Sequence, residues 1–214
     1  MDIGYIIMVI GIILFSMTLH EAMHAFMGYF LGDDTAKLQG RLTLNPIKHI
    51  DPFLTIILPV LLAIAGGPIF GGAKPVPFNP DRVRGGEWGA ALVAVAGPLI
   101  NLFIAFIAFG VYAVAFMQNN LAGSEGVMAE ILITTVMVNL GFFIFNMIPI
   151  PPLDGSRVLY ALAPEFIRRG MEAIERFGII VIFGLVLLAS AAIGRFMGST
   201  MEFFITIFSR IFGL

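Results

Sequence analysis

Long runs of apolar residues, separated by short polar segments, extend over the whole length of the chain. A membrane-spanning helix needs about 20 consecutive apolar residues, because the hydrocarbon core of a bilayer is about 30 Å thick. Four runs approach or exceed this length. They predict four full transmembrane helices, over residues 3–30, 88–117, 127–148 and 171–193.

Other segments depart from this pattern. Residues 52–70 are apolar but contain three prolines and two glycines, which predicts a re-entrant segment rather than an uninterrupted span. Residues 40–46 and 74–78 predict short membrane-associated β strands. Residues 195–214 mix large apolar side chains with single charges, which favours an amphipathic helix at the membrane surface. The predicted fold is an all-α polytopic membrane protein with these additions.

Composition and charge narrow the function. Of the 214 residues, 59% are hydrophobic and 12% are charged, which excludes an ordinary soluble domain. The net charge of -2 and the scattered Lys and Arg residues argue against nucleic-acid binding. Because the chain has no cysteine, any metal must be held by His, Asp or Glu. We expect one membrane-embedded domain over residues 1–214, with a catalytic core at about 3–160 and C-terminal helices at 171–214.

An H-E-x-x-H sequence lies near the end of the first predicted helix. His20 and His24 are one helical turn apart, so both imidazoles can bind one zinc ion. Glu21 is placed to take a proton from a zinc-activated water and pass it to a leaving amine. The alternative is that the three side chains only hydrogen-bond within a helix bundle. Ionisable groups inside a membrane helix are costly, however, and this favours metal binding.

A catalytic zinc site usually has three protein ligands and an open position, so one ligand must come from elsewhere. His49 lies in a polar loop close in sequence, whereas Asp154 follows a membrane helix, between prolines and Gly155. Such a turn can present a carboxylate in a fixed direction, which favours Asp154. An aspartate before a glycine is also a common turn or helix-capping pair, so spacing alone leaves both candidates open.

Three motifs occur in a fixed order along the chain. The H-E-x-x-H sequence is followed by Gly-Pro-Leu-Ile-Asn at 97–101 and by Asn-Met-Ile-Pro-Ile-Pro-Pro-Leu-Asp-Gly at 146–155. Together they resemble the site-2 protease family of intramembrane zinc metalloproteases, in a minimal bacterial form without a PDZ domain. The segments at 40–46 and 74–77 also resemble one bacterial branch of it. The resemblance covers roughly residues 14–160.

The resemblance implies roles for three further residues. It makes Asp154 the third ligand of one zinc ion per chain and Glu21 the catalytic acid/base. It places Asn101 near the substrate or the developing oxyanion, although an asparagine in a membrane helix often only bridges to a neighbouring helix. It also implies that the strand-like segments pair with an unwound client.

The predicted function is a zinc endopeptidase that hydrolyses peptide bonds in transmembrane or membrane-proximal segments of client proteins. Its partners are a transmembrane protein or peptide substrate and the lipid bilayer. The alternative is a zinc-binding membrane transporter or a catalytically inactive scaffold. Glu21 discriminates between them, because only hydrolysis needs a base beside the first zinc-binding histidine.

The ligands also constrain the topology. Counted from Ile3 at about 1.5 Å per residue, His20 lies about 26 Å along the first helix, near the far side of the bilayer. Asp154 likewise follows the far end of the helix 127–148. Both helices must therefore cross in the same direction, with 88–117 as the span between them. Because 118–126 contains no Lys or Arg, the positive-inside rule puts the site on the cytoplasmic side of a prokaryotic plasma membrane.

Overall fold

Most of the chain is α-helical in the computed structural model, which describes residues 3–57, 72–118, 126–188 and 190–214. The helices are α1 (Ile3–Phe30), α2 (Thr35–Leu38), α3 (Gly86–Tyr112), α4 (Val127–Asn146), α5 (Gly155–Leu162), α6 (Glu165–Glu175), α7 (Gly178–Leu188) and α8 (Ser190–Ile211). Short 3-10 turns lie at Pro46–His49 and Pro80–Arg82, and π-helical turns at Pro52–Ile57 and Ala113–Gln118.

Within the described ranges, three helices are long and apolar enough to cross a membrane: Ile3–Phe30, Gly86–Met117 and Val127–Asn146. In α1 the large apolar side chains face outward, as Ile7 and Phe15 show, while Ser16 and His20 face the protein. This arrangement suits a helix in lipid, because the bilayer accepts apolar side chains and the polar ones find partners inside the protein.

The central helix of the bundle is α3. Half of its most apolar 18-residue stretch is buried, against 17% for α1 and 22% for α4. The buried positions of α3 are mostly alanine and glycine. Small side chains let neighbouring helices approach closely in a membrane, and α3 therefore packs directly between α1 and α4.

The predicted C-terminal amphipathic helix is present as α8 and begins at Ser190. Its apolar face packs against the bundle through Phe204 and Phe208, and Phe212 follows directly after its last residue. The ring of Phe204 lies 5.3 Å from that of Phe143 in α4, and the ring of Phe208 lies 5.2 Å from that of Phe106 in α3. The ring of Phe212 extends the same contact along α3.

The fourth predicted span is not confirmed. Residues 171–193 do not form one helix, because α6 ends at Glu175 and the chain turns before Gly178, which has a φ of +33°. The following α7 is described from Gly178 to Leu188, and residue 189, between α7 and α8, lies outside the described residues. Charged and apolar side chains alternate along α6 at helical spacing, so this segment is amphipathic rather than uniformly apolar.

The predicted strands are not confirmed either, since none of the described segments forms a β ladder. Around 74–78 the two flanking prolines, Pro75 and Pro77, have no N–H to donate. The N–H of Val76 donates to Glu21 Oε2 at 2.8 Å, so this donor is not free for a strand partner. The segment is therefore extended, but two of its N–H groups donate to the Glu21 side chain and to a single main-chain carbonyl, His49 O, rather than to a second strand.

Residues 58–70, which are most of the predicted re-entrant segment, lie outside the described residues, as do residue 71 and residues 119–125. The two described flanks of 58–71 are in contact with each other. Thr55 Oγ1 donates to Gly72 O at 2.7 Å, and the Lys74 N–H donates to His49 O at 2.9 Å. The segments before residue 58 and after residue 71 are therefore adjacent.

Candidate metal centre

Two imidazoles from α1 point at α3. His20 and His24 are one turn apart, and their ring centroids are separated by 4.7 Å. A Cβ atom on Gly97 of α3 would lie 2.6 Å from His24 Cε1 and 2.8 Å from His20 Cε1. Glycine at position 97 therefore lets α3 pass directly beside both rings.

Each imidazole hydrogen-bonds to α3 through Nδ1. His24 Nδ1 lies 2.8 Å from Val93 O, and His20 Nδ1 lies 2.6 Å from Asn101 Oδ1. A carbonyl oxygen can only accept, so Nδ1 carries the hydrogen in both rings. The two Nε2 atoms, 3.0 Å apart, then keep their lone pairs when the rings are neutral. Both rings thus present the form that ligates a metal.

Asp154 completes a group of three donors. Its Oδ2 lies 3.2 Å from His20 Nε2 and 3.5 Å from His24 Nε2. Asp154 occupies the N-cap position of α5, yet its side chain makes no capping hydrogen bond. A Cβ on Gly155 would come within 2.9 Å of Met147 Cα, so glycine here allows α5 to start directly against the end of α4. The carboxylate is thereby turned towards α1.

The electrostatics of Asp154 favour its ionised form. Burial by itself would raise the pKa of this carboxyl. In the metal-free protein, the charge that His24 and His20 carry when protonated, and their hydrogen bonds to the carboxylate, outweigh burial and hold the pKa of Asp154 well below its usual range. Asp154 is therefore an anionic oxygen donor at neutral pH.

The three donors fit zinc. A tetrahedral ion with ligands at about 2.0–2.1 Å has donor–donor separations of about 3.3–3.4 Å. The triangle formed by the two Nε2 atoms and Asp154 Oδ2 has sides of 3.0, 3.2 and 3.5 Å. Two imidazoles and one carboxylate are also a common ligand set of catalytic zinc.

Glu21 lies next to this triangle. Donor atoms of His20, Glu21 and His24 all lie within 4.8 Å of one another. Glu21 could on this ground be a ligand itself, but its Oε2 accepts the Val76 N–H at 2.8 Å. Asp154 Oδ2 lies 3.2 and 3.5 Å from the two Nε2 atoms, and the bond of Glu21 to Val76 favours Asp154 for the third ligand position and Glu21 for the position beside it.

The remaining sequence candidates have different surroundings. Asn101 is fully buried and bonds to His20, and its Nδ2 also donates to Asn139 Oδ1 at 2.9 Å. It thus contacts the metal centre and bridges to α4. His49 is buried in the turn Pro46–His49, where its Nε2 donates to Thr43 O at 2.9 Å.

Sequence reasoning missed two polar residues of this region, Ser16 and Asn139. Both are fully buried, and Asn139 Nδ2 donates to Ser16 Oγ at 2.9 Å. A signal was present. Ser16 precedes His20 by one helical turn, and Asn139 is an amide in the middle of an apolar run, where polar side chains are costly unless they have a partner.

Comparison with known proteins bears directly on this site. The profile of peptidase family M50 matches residues 113–190. A Bacillus subtilis protein named "Putative zinc metalloprotease YwhC" is 39% identical over 92% of this chain and 89% of its own length. "Putative zinc metalloprotease Rip2" of Mycolicibacterium smegmatis is 32% identical over 94% of this chain and 74% of its own.

A more distant similarity covers half of the chain. "Putative zinc metalloprotease MJ0611" of Methanocaldococcus jannaschii is 33% identical over 49% of this chain and 50% of its own length. No solved structure matches the chain significantly. The high coverage of the bacterial relatives, together with the apolar helices, identifies the chain as a multi-pass zinc metalloendopeptidase that belongs to peptidase family M50, the site-2 protease family.

Proposed function

We propose that His20, His24 and Asp154 hold one zinc ion and that Glu21 is the general acid/base for hydrolysis of a peptide bond. The observation that carries this proposal is the triangle of donor atoms, because its sides match a face of a tetrahedral zinc site. Three protein ligands would leave the ion accessible to water or the substrate, as in catalytic zinc sites generally.

The bound zinc ion supplies Lewis acidity, which polarises a carbonyl group and lowers the pKa of water. Glu21 takes a proton from the attacking water as the water oxygen bonds to the carbonyl carbon. Glu21 then gives this proton to the amide nitrogen as the carbon–nitrogen bond breaks. The Val76 N–H, 2.8 Å from Glu21 Oε2, orients the carboxylate for both transfers.

Asn101 has two proposed roles. Its Oδ1 accepts the hydrogen of His20 Nδ1, which supports a role in orienting that imidazole. Its Nδ2 donates to Asn139 and, at 3.5 Å, faces Ser16 O. A contact of Asn101 with the substrate or the oxyanion stays a prediction, and it requires the Nδ2 group to exchange one of these partners.

The proposed client is a protein whose scissile bond lies in or next to a transmembrane segment. The site is built on helices that cross a membrane, so a membrane-embedded client reaches it without leaving the bilayer. A helical client must first unwind, because its amides are already hydrogen-bonded. The extended residues 72–79 reach Glu21 through Val76, so a client bound at the site lies beside this segment.

We also propose that the site faces the cytoplasm. Its ligands lie towards the C-terminal end of α1 and just after α4, so both helices cross in one direction. The joined flanks of 58–71 support a return of the chain to the same side. Lys48, Lys74 and Arg82 belong to these polar segments, and cytoplasmic segments carry an excess of such residues.

Purified protein tests the proposal directly. It is incubated with a panel of single-span client proteins, with and without a chelator, and the fragments are identified by mass. We expect chelator-sensitive cleavage in or beside the client's span. Stoichiometric zinc without cleavage of any client would instead favour the transporter or scaffold alternative.

The matched variant is Glu21→Gln. We expect it to keep zinc, because the proposed ligands are unchanged, and to lose cleavage by about 100-fold or more, because the base is gone. Zinc analysis and the cleavage assay on one sample check this. Normal cleavage by the variant would contradict the proposed role of Glu21.

A further inference from the structure

Asn139 is a fully buried asparagine in the apolar helix α4 that sequence motifs do not explain. Its Nδ2 donates to Thr135 O and to Ser16 Oγ, both at 2.9 Å. Its Oδ1 accepts from Asn101 Nδ2, also at 2.9 Å. Both amide hydrogens and the amide oxygen thus have partners, and the third contact leads to His20.

The chemistry of these contacts fixes the orientation of each group in turn. Thr135 O is a carbonyl and can only accept, so the atom of Asn139 that faces it is the NH2 group. The atom facing Asn101 is then an oxygen, and Asn101 must turn its own NH2 group towards it. This leaves Asn101 Oδ1 against His20 Nδ1, which must carry the hydrogen.

The opposite orientation would block the metal. If the Asn101 amide rotated by 180°, its NH2 group would face His20 Nδ1 and its oxygen would face Asn139 Oδ1. His20 would then carry its hydrogen on Nε2, the atom that lies 3.0 Å from His24 Nε2. Two oxygens 2.9 Å apart repel each other, so Asn139 prevents this rotation.

We propose that Asn139 is a positioning residue that selects the zinc-binding tautomer of His20 through Asn101. This inference rests on the proposed zinc site. It assigns to α4 a function in the metal centre, although no side chain of α4 belongs to the proposed ligands. Ser16 supports the arrangement from α1, because it accepts the second hydrogen of the Asn139 amide.

The test compares three variants of the full-length protein. Asn139→Leu removes the acceptor for Asn101 in a similar volume. Asn139→Asp keeps an oxygen for Asn101, and its protonated carboxyl can still donate to Thr135 O. Asn146→Leu is the matched control, because Asn146 in the same helix also donates to the carbonyl four residues earlier, Phe142 O, at 3.0 Å.

Zinc affinity is measured by competition with a chelator of known affinity. Residues behind a metal ligand commonly contribute 10- to 100-fold in affinity, so we expect Asn139→Leu to weaken zinc binding by about tenfold. Asn139→Asp should stay within about threefold of the wild type, and Asn146→Leu within about twofold. The zinc affinity of the wild-type protein tests the zinc site itself. If the wild-type protein does not bind zinc, the proposed function is overturned rather than the role of Asn139.

A second measurement does not depend on how any variant folds. The chain has only three histidines, so 15N NMR of histidine-labelled wild-type protein, freed of metal, resolves the tautomer of each. We expect His20 to carry its hydrogen on Nδ1. A hydrogen on Nε2, or unchanged zinc affinity in a folded Asn139→Leu variant, would overturn the inference.

Discussion

Each imidazole of the metal centre uses its one N–H on a group of α3, and this leaves both Nε2 atoms free. For His24 the acceptor is a main-chain carbonyl, Val93 O, which cannot turn round. For His20 the acceptor is the side chain of Asn101, which can. The two histidines therefore depend on different supports, although the sequence presents them as an equivalent pair.

The choice between Asp154 and His49 can be tested by substitution. Asp154→Ala removes an anionic donor that lies 3.2 Å from His20 Nε2, so zinc affinity should fall by about 100-fold or more. His49→Ala should change it by less than about threefold, because His49 Nε2 is bonded to Thr43 O. Zinc titration of both variants distinguishes the two candidates. A larger loss of zinc affinity in His49→Ala than in Asp154→Ala would make His49 the third ligand.

Asp33 gives the protein a pH-dependent stability. Burial would raise the pKa of its carboxyl, but hydrogen bonds from the Thr35 hydroxyl and the N–H groups of Asn79 and Thr35 outweigh it and lower the pKa below 3.8. A folded-state pKa below the unfolded one stabilises the protein fully above about pH 4. The stabilisation is lost as the pH falls through the folded-state pKa.

Thermal unfolding of the detergent-solubilised protein between pH 7 and pH 3 measures this effect. We expect Asp33→Asn to be less stable than the wild type by about 1–3 kcal/mol at pH 7, with a gap that narrows as the pH falls below 4. Asp34→Asn is the control, since Asp34 forms only a half-exposed ion pair with Arg82. A gap that is constant with pH would contradict the assignment.

At the level of single side chains, the sequence predicted the residues that meet at the centre. The spacing of His20 and His24 follows from helix geometry alone. The turn before Gly155 indicated Asp154 without deciding for it, since capping was an equally ordinary use. Asn139 could not be predicted, because its partners Ser16 and Asn101 lie 123 and 38 residues away and only tertiary packing brings them together.

At two contacts of α3, the absence of a side chain lets a neighbouring element approach closely. Gly97 of α3 faces the two imidazoles of α1, and Gly110 of α3 faces the ring of Phe212, whose Cε1 would lie 2.9 Å from an added Cβ. One helix thus uses glycine towards the metal centre and again towards α8. Residues 74–79 are positioned differently, because Val76 and Asn79 donate their N–H groups to side chains of α1 and of the turn that follows it.

The approach of α1 and α3 can be tested with Gly97→Ala. The added Cβ would lie 2.6 Å from His24 Cε1, and the helix backbone cannot yield, so the imidazoles must shift. We expect zinc affinity to fall by at least about tenfold. Gly11→Ala is the control in α1, because an added Cβ there meets nothing within 4 Å. Equal zinc affinity in both variants would show that the rings tolerate the methyl group.

Periodicity predicted α1, α3 and α4 within a few residues, but it failed where neighbouring elements decide. Residues 74–78 were predicted as a strand on their extended pattern, and the prolines with the Val76–Glu21 bond removed the donors of a ladder. The run 171–193 was predicted as one span on its apolar composition. It is interrupted because the charged face of α6 and the positive φ of Gly178 end the helix first.

For the chain as a whole, the mostly helical membrane protein that the sequence predicted is confirmed; three candidate spans lie within the described residues, and the predicted fourth is not confirmed. Its sidedness stays a prediction, and the joined flanks of 58–71 sharpen it. If these flanks lie on one side of the membrane, positions before and after the gap share that side. The start of α4 then lies on the other side.

Single cysteines test this topology without a background, because the chain has none of its own. We expect an impermeant thiol reagent applied outside spheroplasts to label Gly126→Cys, and to label Lys48→Cys and Asp81→Cys only after permeabilisation. All three positions are exposed in the structure. If Asp81→Cys is labelled from outside and Lys48→Cys is not, the chain crosses the membrane fully between these two positions. If both are labelled from outside, the site lies on the outer side of the membrane.

The hydrogen bond between Ser16 and Asn139 can form only late in the synthesis of the protein. The two residues are 123 positions apart in the chain, and translation proceeds at about 5–20 residues per second. The first helix therefore leaves the ribosome roughly 6 to 25 s before the helix that satisfies its inward polar face. During that interval the Ser16 hydroxyl depends on water or on the insertion machinery for this hydrogen bond, and a truncated nascent chain that ends before α4 leaves the hydroxyl without its lasting partner.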